Sequence, residues 1–247
     1  MALLRKRFLF LYVNEYWYTY KGGLLNWISL TACCHMKVPF SNSNLMKESR
    51  SWTIENDLTL SEEETLAAYT KSIRQQIRQA REGGVIVVFA KEISEFVEFF
   101  NDFAARHNLN PTSIRRLEEL GDDCLFSYAV YEGQKLSAHS YLVDRPNKIV
   151  RSWQSASGRN IEGVDKSLVG KANKLLHHED MKYFKSQGFE VYDFGGYTID
   201  PPTDSLAGIN TFKASFGGKV VECKDYYSYP FVFLKWLGGL FGLVGRG

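Results

Sequence analysis

Lys213 lies in the run Leu206 to Phe216, where Ile209, Phe212 and Phe216 fall at helical spacing and put an apolar stripe beside the lysine. An ammonium held there can bind a phosphate or carboxylate, or stabilise the oxyanion of a tetrahedral intermediate. Upstream, Phe189 to Phe194 alternates like a short strand that carries Asp193 near its carboxyl end, where α/β folds collect functional groups. Asp193 there either orients an amine or caps the turn made by Gly195-Gly196. Glu179 falls among Leu168, Ala172, Leu175, Leu176 and Tyr183 on one face of a helix expected over 166–187. A carboxylate on such a stripe must be paired, hydrogen-bonded or raised in pKa. Raised, it would suit a general base for an attacking amine, the alternative being a structural ion pair with an arginine. Lys213, Asp193 and Glu179 are thus the catalytic candidates.

His177 and His178 read as a solvated pair on the polar side of the same helix, with His177 able to border a cleft. Gly195, Gly196, Tyr197 and Phe212, with His177 and Asn173, form the substrate-binding group. The loop Ser155 to Gly170 contains Gly158, Arg159 and Gly163 before a helix start, where backbone N–H groups and an arginine can cradle phosphate. Lys71, Arg74, Arg78 and Arg81 recur at spacings of 3, 4 and 3 and form a basic ridge. That ridge is either a solvated face or an anchor for nucleotide or tRNA phosphates through Arg74 and Arg78. Gly158, Arg159, Arg74 and Arg78 are accordingly the donor-phosphate candidates.

The elements that must position these residues are legible in outline. Ser61 with Glu64 spells a capping box, and Leu66, Tyr69, Ile73, Ile77 and Ala80 make one apolar helical stripe that Gly83-Gly84 ends. A buried strand follows over 85–90, an amphipathic helix over 93–107, and a shorter helix begins at Pro111. Alternating strands flank Glu132-Gly133, a hairpin signal, and a third strand covers 149–154. The first sixty or so residues, rich in aromatics including Trp17, Trp27 and Trp52, read as short strands. The chain divides into an aromatic N-terminal segment (1–60), a central domain (61–229) and an apolar tail (230–247). The expected fold is mixed α/β, a largely antiparallel sheet flanked by helices.

With 45% hydrophobic residues over 247 positions, the chain can bury a good core. A net charge of +2 demands no polyanionic partner. Cys33, Cys34, Cys124 and Cys223 lack metal-site spacing, which argues against zinc and for a reduced, cytoplasmic setting. The apolar run after the first basic residues is too short for a signal peptide, and no apolar stretch reaches the roughly 20 residues of a spanning helix. The tail, with Phe231, Phe233, Trp236 and Phe241 beside Lys235 and Arg246, docks on the protein's own core or rests at a membrane interface.

The motifs Y-D-F-G-G at 192–196 and G-I-N-T-F-K-A-S-F-G-G at 208–218 resemble the C-terminal half of the Fem family. These aminoacyltransferases build peptidoglycan interpeptide bridges and are relatives of the GNAT acyltransferases. Two further stretches, at 72–85 and 172–182, are similar to the family's pattern, so the resemblance spans roughly 57–221. It implies a GNAT-like catalytic domain over 61–229, with Lys213 at the family's active-site lysine. It further implies acyl or aminoacyl transfer to an amine of a lipid-linked or small-molecule envelope precursor. The donor would be acyl-CoA or aminoacyl-tRNA as cosubstrate, with no tightly bound cofactor. The GNAT pyrophosphate turn, arginine/glutamine-x-x-glycine-x-glycine, is missing from the 155–170 loop, which favours tRNA over coenzyme A. Fem proteins have two tandem domains and this chain has room for one domain plus a partial first one, so a homodimer could complete the cleft. The competing expectations are a catalytically silent module of the same fold that binds an envelope precursor or membrane, and an RNA-binding protein that uses Arg74, Arg78 and Arg81.

Overall fold

The computed structural model describes residues 2–8, 11–23, 28–160, 163 and 165–240; Trp27, Phe241 and Arg246 lie outside them. In chain order the strands are β1 (Ala2–Phe8), β2 (Leu11–Trp17), β3 (Thr31–Met36), β4 (Lys47–Asp57), β5 (Ile86–Ala90), β6 (Phe126–Tyr131), β7 (Gln134–Asp144), β8 (Ile149–Ser157), β9 (Val191–Tyr197) and β10 (Lys219–Tyr227). The helices are α1 (Glu62–Ala68), α2 (Lys71–Glu82), α3 (Ile93–Arg106), α4 (Ile114–Glu118), α5 (Lys166–Ser186), α6 (Asp204–Ala214) and α7 (Tyr229–Leu240). The mixed, largely antiparallel sheet flanked by helices is as expected.

Contacts divide the chain into two units, one drawn from both ends (to Thr53 and from Val221), the other running from Ile54 to Val220. In the first, the strand order is β1-β2-β3-β10-β4, with β2 and β3 parallel. Tyr20, Cys33, Met36, Met46 and Tyr226 form one of its apolar clusters. Phe231 of α7 packs with Val13, Ala32 and Cys34 in another.

The second unit orders its strands β9-β8-β7-β6-β5, antiparallel except for β8 and β9. Glu132 and Gly133 both take positive φ (48° and 80°), the geometry that matches hairpin twist to strand twist, and so join β6 to β7. Alternation along β6 turns Phe126 and Tyr128 toward α3, with Phe96 and Phe100, and turns Ala129 toward α5. Helix α5 buries Val169, Ala172, Leu176 and Phe184 against Tyr141, Val150, Tyr192 and Phe194.

Two expectations are corrected. The single helix read from Ser61 to Ala80 is broken in two. Its capping box is present, with Ser61 Oγ accepting from the Glu64 N–H and Glu64 accepting from the Ser61 N–H. Tyr69, however, is extended, and the Thr70 hydroxyl accepts from the Ile73 N–H to start α2 afresh. The run over 85–90 is an edge strand rather than a buried one, with Ile86 59% and Val88 42% exposed.

Candidate functional site

Strands β8 and β9 pair in parallel at Ile149↔Val191, Val150↔Tyr192 and Arg151↔Asp193. Register partners project from the same face, so Arg151 and Asp193 stand side by side, with Nη1 to Oδ2 at 2.8 Å. Asp193 is fully buried, and a carboxylate there is tolerable because it is paired and hydrogen-bonded. Its other oxygen accepts from the Gly195 N–H at 2.6 Å and holds Gly195 at φ +83°, a conformation suited to glycine. A Cβ at Gly195 would also come within 3.2 Å of Arg151 Nη2. Beyond this knot β8 runs on to Ser157 against β7, and β9 proceeds through Gly196 to Tyr197.

The end of β8, the start of α5 and one side of α6 enclose a cleft of about 540 Å³. Its polar lining includes Ser155, Ser157, Arg159, Asn173 and Lys174, with Phe212 as an apolar wall. Gly170 lets the Arg159 guanidinium lie against the α5 backbone, since a Cβ there would sit 2.6 Å from Nη2. Lys174 donates to the Gly170 carbonyl at 3.0 Å. Burial, then the neighbouring Arg159, pushes its ammonium pKa down. Two adjacent cations in a half-buried cleft form a place for an anion.

One residue on from Phe212, Lys213 Nζ donates to the Gly196 carbonyl at 2.6 Å. Burial and then the Arg151 charge push its pKa down to about 8, while Asp193 pulls the other way. Beneath the cleft, His139 of β7 sets Nδ1 2.7 Å from Asp180 Oδ2 and Nε2 3.1 Å from Asn173 Oδ1. His177 lies against His139 with ring centres 4.1 Å apart and planes tilted by 34°, and places its Nδ1 3.1 Å from the Tyr192 hydroxyl. Burial first, then His139, Lys213 and Lys174, hold His177 well below the usual histidine pKa.

Among the sequence candidates, Arg159, Asn173 and Phe212 line the cleft, while Lys213, Gly195, Gly196 and Asp193 gather at the end of β9. Tyr197 is half-buried against the core, and Gly158 opens the short helical turn that carries Arg159. The expected solvated histidine pair is corrected: His177 and His178 are 3% and 1% exposed. The face of α5 that packs on the sheet is rotated from the one read in the sequence. Glu179 pairs instead with Arg81 at 2.6 Å, the ion-pair alternative, and is not among the residues that line the cleft. Arg74 donates to the carbonyls of Leu66, Ala67 and Tyr69 at the end of α1, and Arg78 lies 3.8 Å from Glu82. Neither joins Arg159. His139, Asp180, Arg151 and Lys174 escaped sequence reasoning; the one available signal was N-x-x-x-H-x-x-D along α5, a polar stripe at helical spacing.

No family model and no curated protein matches the sequence. Among solved structures, the fold is similar to that of FemX, with a TM-score of 0.67 over 96% of this chain and 85% of that one at 14% identity. The C-terminal domain of a putative lysylphosphatidylglycerol synthetase from Agrobacterium fabrum gives 0.60 over 89% and 74% at 14% identity. L-PGS from Bacillus licheniformis gives 0.57 over 86% and 73% at 10% identity. At these identities the likeness is one of fold, and the resemblance read from the motifs extends to it.

Proposed function

We propose that the protein is an acyl- or aminoacyltransferase that moves an activated acyl group to an amine of a cell-envelope precursor. The observation that carries this reading is Lys213, a half-buried lysine on the Gly196 carbonyl beside the Arg151–Asp193 pair, next to a cleft with Arg159 and Lys174. The likeness in fold to FemX and to a lysylphosphatidylglycerol synthetase domain supports envelope chemistry as the setting.

The attacking amine adds to the donor's acyl carbon, and the carbonyl π electrons move to oxygen. The tetrahedral oxyanion then collapses, the carbon–oxygen or carbon–sulfur bond breaks, and the leaving oxygen or sulfur takes the proton released by the amine. The Lys213 ammonium stabilises the oxyanion; removing such a donor costs about 10²–10³ in rate. The cleft receives the phosphate-bearing part of the donor, either acyl-CoA or aminoacyl-tRNA, on Arg159 and Lys174. Asp193, already paired and capping Gly195, holds the knot rather than the proton.

A thermal-shift series with acetyl-CoA, longer acyl-CoAs, bulk tRNA and UDP-linked sugars tests the ligand class. A ligand at 100 times its dissociation constant adds about 2.7 kcal/mol to stability. Lys213→Ala should then lose transfer by roughly two to three orders of magnitude while keeping a cooperative urea transition and the wild-type circular dichroism spectrum. Undiminished transfer by that variant would remove Lys213 from the mechanism. Precursor binding without transfer by the wild type would favour the silent module.

A further inference from the structure

A second cavity, of about 360 Å³, lies within the Ile54–Val220 unit, lined by α1, the segment that leads into it and the last turns of α5. It shares no lining residue with the cleft described above. Its walls are mainly apolar: Leu58 and Met181 are buried, and Leu60 is half-buried beside them. Close-packed interiors leave few voids larger than a water molecule, and a volume in this range is that of a small-molecule site.

One polar side chain reaches this apolar lining from the interior. His178 is buried, and its Nδ1 lies 3.3 Å from the Tyr69 hydroxyl, which also stands 3.5 Å from Met181 Sδ. The other ring nitrogen, Nε2, is buried and has no hydrogen-bond partner among the described residues. Glu62 Oε1 stands 3.8 Å from it, beyond hydrogen-bond reach, and is itself held by Lys182 Nζ at 3.0 Å. Lys185 is also engaged, on the Leu60 carbonyl. A buried nitrogen without a partner is costly, and an oxygen placed in the cavity would remove that cost.

The charges around the cavity select what carries that oxygen. Glu62 repels a carboxylate, while Lys182 and Lys185 repel an ammonium. A neutral hydroxyl escapes both. It also gives one proton and accepts another, so it pairs with the His178 nitrogen in either tautomer. The tautomer decides only whether the hydroxyl hydrogen goes to the ring or to Glu62. We propose that this cavity binds a small neutral alcohol, whose apolar body packs on Leu58, Leu60 and Met181 and whose hydroxyl meets His178 Nε2 beside Glu62. The site stands independently of the transfer chemistry assigned to the cleft.

Three eight-carbon probes that differ only in their head group test this: 1-octanol, octanoate and octylammonium. In methyl spectra of the full-length chain, with Met181 assigned through Met181→Leu, 1-octanol should shift the Met181 signal to saturation. Octanoate and octylammonium should bind roughly tenfold more weakly or worse, because each must bring a charge into the cavity. His178→Phe keeps the bulk of the ring and should weaken 1-octanol by roughly threefold to tenfold, the worth of one hydrogen bond. Thr65→Trp, at a half-buried lining position on α1, should fill the cavity and abolish the shift. Should His178→Phe lose its cooperative urea transition, Thr65→Trp and the head-group series decide. Equal affinity for the three head groups, wild-type affinity in either folded variant, or no saturable Met181 shift with 1-octanol would each overturn the proposal.

Discussion

At the scale of single residues, the site depends on charges that the fold can tolerate only in company. Asp193→Asn removes the charge that the Arg151 guanidinium meets at 2.8 Å. Breaking a buried pair of this kind costs on the order of 3 kcal/mol, readable as a lower urea midpoint. A loss below about 1 kcal/mol would place the pair among solvent-screened ones. His177 works in the opposite sense. Burial holds its folded pKa well below 6.5, so as pH falls through 6.5 the unfolded chain binds the proton that the folded one refuses, and stability drops. His178 adds to this in the same direction. The urea midpoint should therefore fall from pH 7 to pH 5, and His177→Gln should flatten the slope. Equal slopes in the two proteins would clear His177 of the effect. Lys213 behaves likewise at alkaline pH, where stability rises between about 8 and 10.5 as the folded lysine deprotonates first. The chemistry-bearing lysine was visible in the sequence because glycine pairs and aromatics frame it. The His139–Asp180 pair was not, since its halves lie on separate elements and one residue along a helix turns a side chain by about 100°. Glu179 therefore drew attention that belonged to Asp180.

At the scale of elements, periodicity located the strands and helices well and failed where local chemistry overrode it. Thr70 interrupts an apolar stripe that is continuous on paper, because its hydroxyl caps a new helix while Arg74 satisfies the carbonyls of the old one. The run Val85-Ile86-Val87-Val88 reads as buried, but nothing local records that its strand ends the sheet. Helix α7 shows a further face of this kind. Tyr229, Phe233 and Trp236 are exposed at positions i, i+4 and i+7, whereas Phe231 is buried. The expectation that the tail rests at a membrane interface makes a testable prediction for that stripe. The wild type should co-sediment with phospholipid vesicles and Phe233→Ser/Trp236→Ser should remain in solution. Equal partition of the two would leave the stripe to another partner.

At the scale of the whole molecule, the division into units follows neither the order of the chain nor a change in composition. The unit boundaries fall inside β4 and β10, so both ends of the chain belong to one body and the middle to the other. Local patterns carry no record of such long-range pairing, which is why the sequence suggests consecutive segments. No helix among the described residues is long and apolar enough to cross a membrane.

The four cysteines are all buried and unbridged, and burial pushes the Cys33 thiol up to about 12 and that of Cys124 to about 11. Thiolate, the reactive form, is scarce at both positions near neutrality. A native surface so poor in fast thiols is a blank background for labelling. A cysteine placed at exposed Ile209 on the cleft rim would take a fluorophore or spin probe selectively, and ligand entry could be followed in the unmodified sequence context of every other residue.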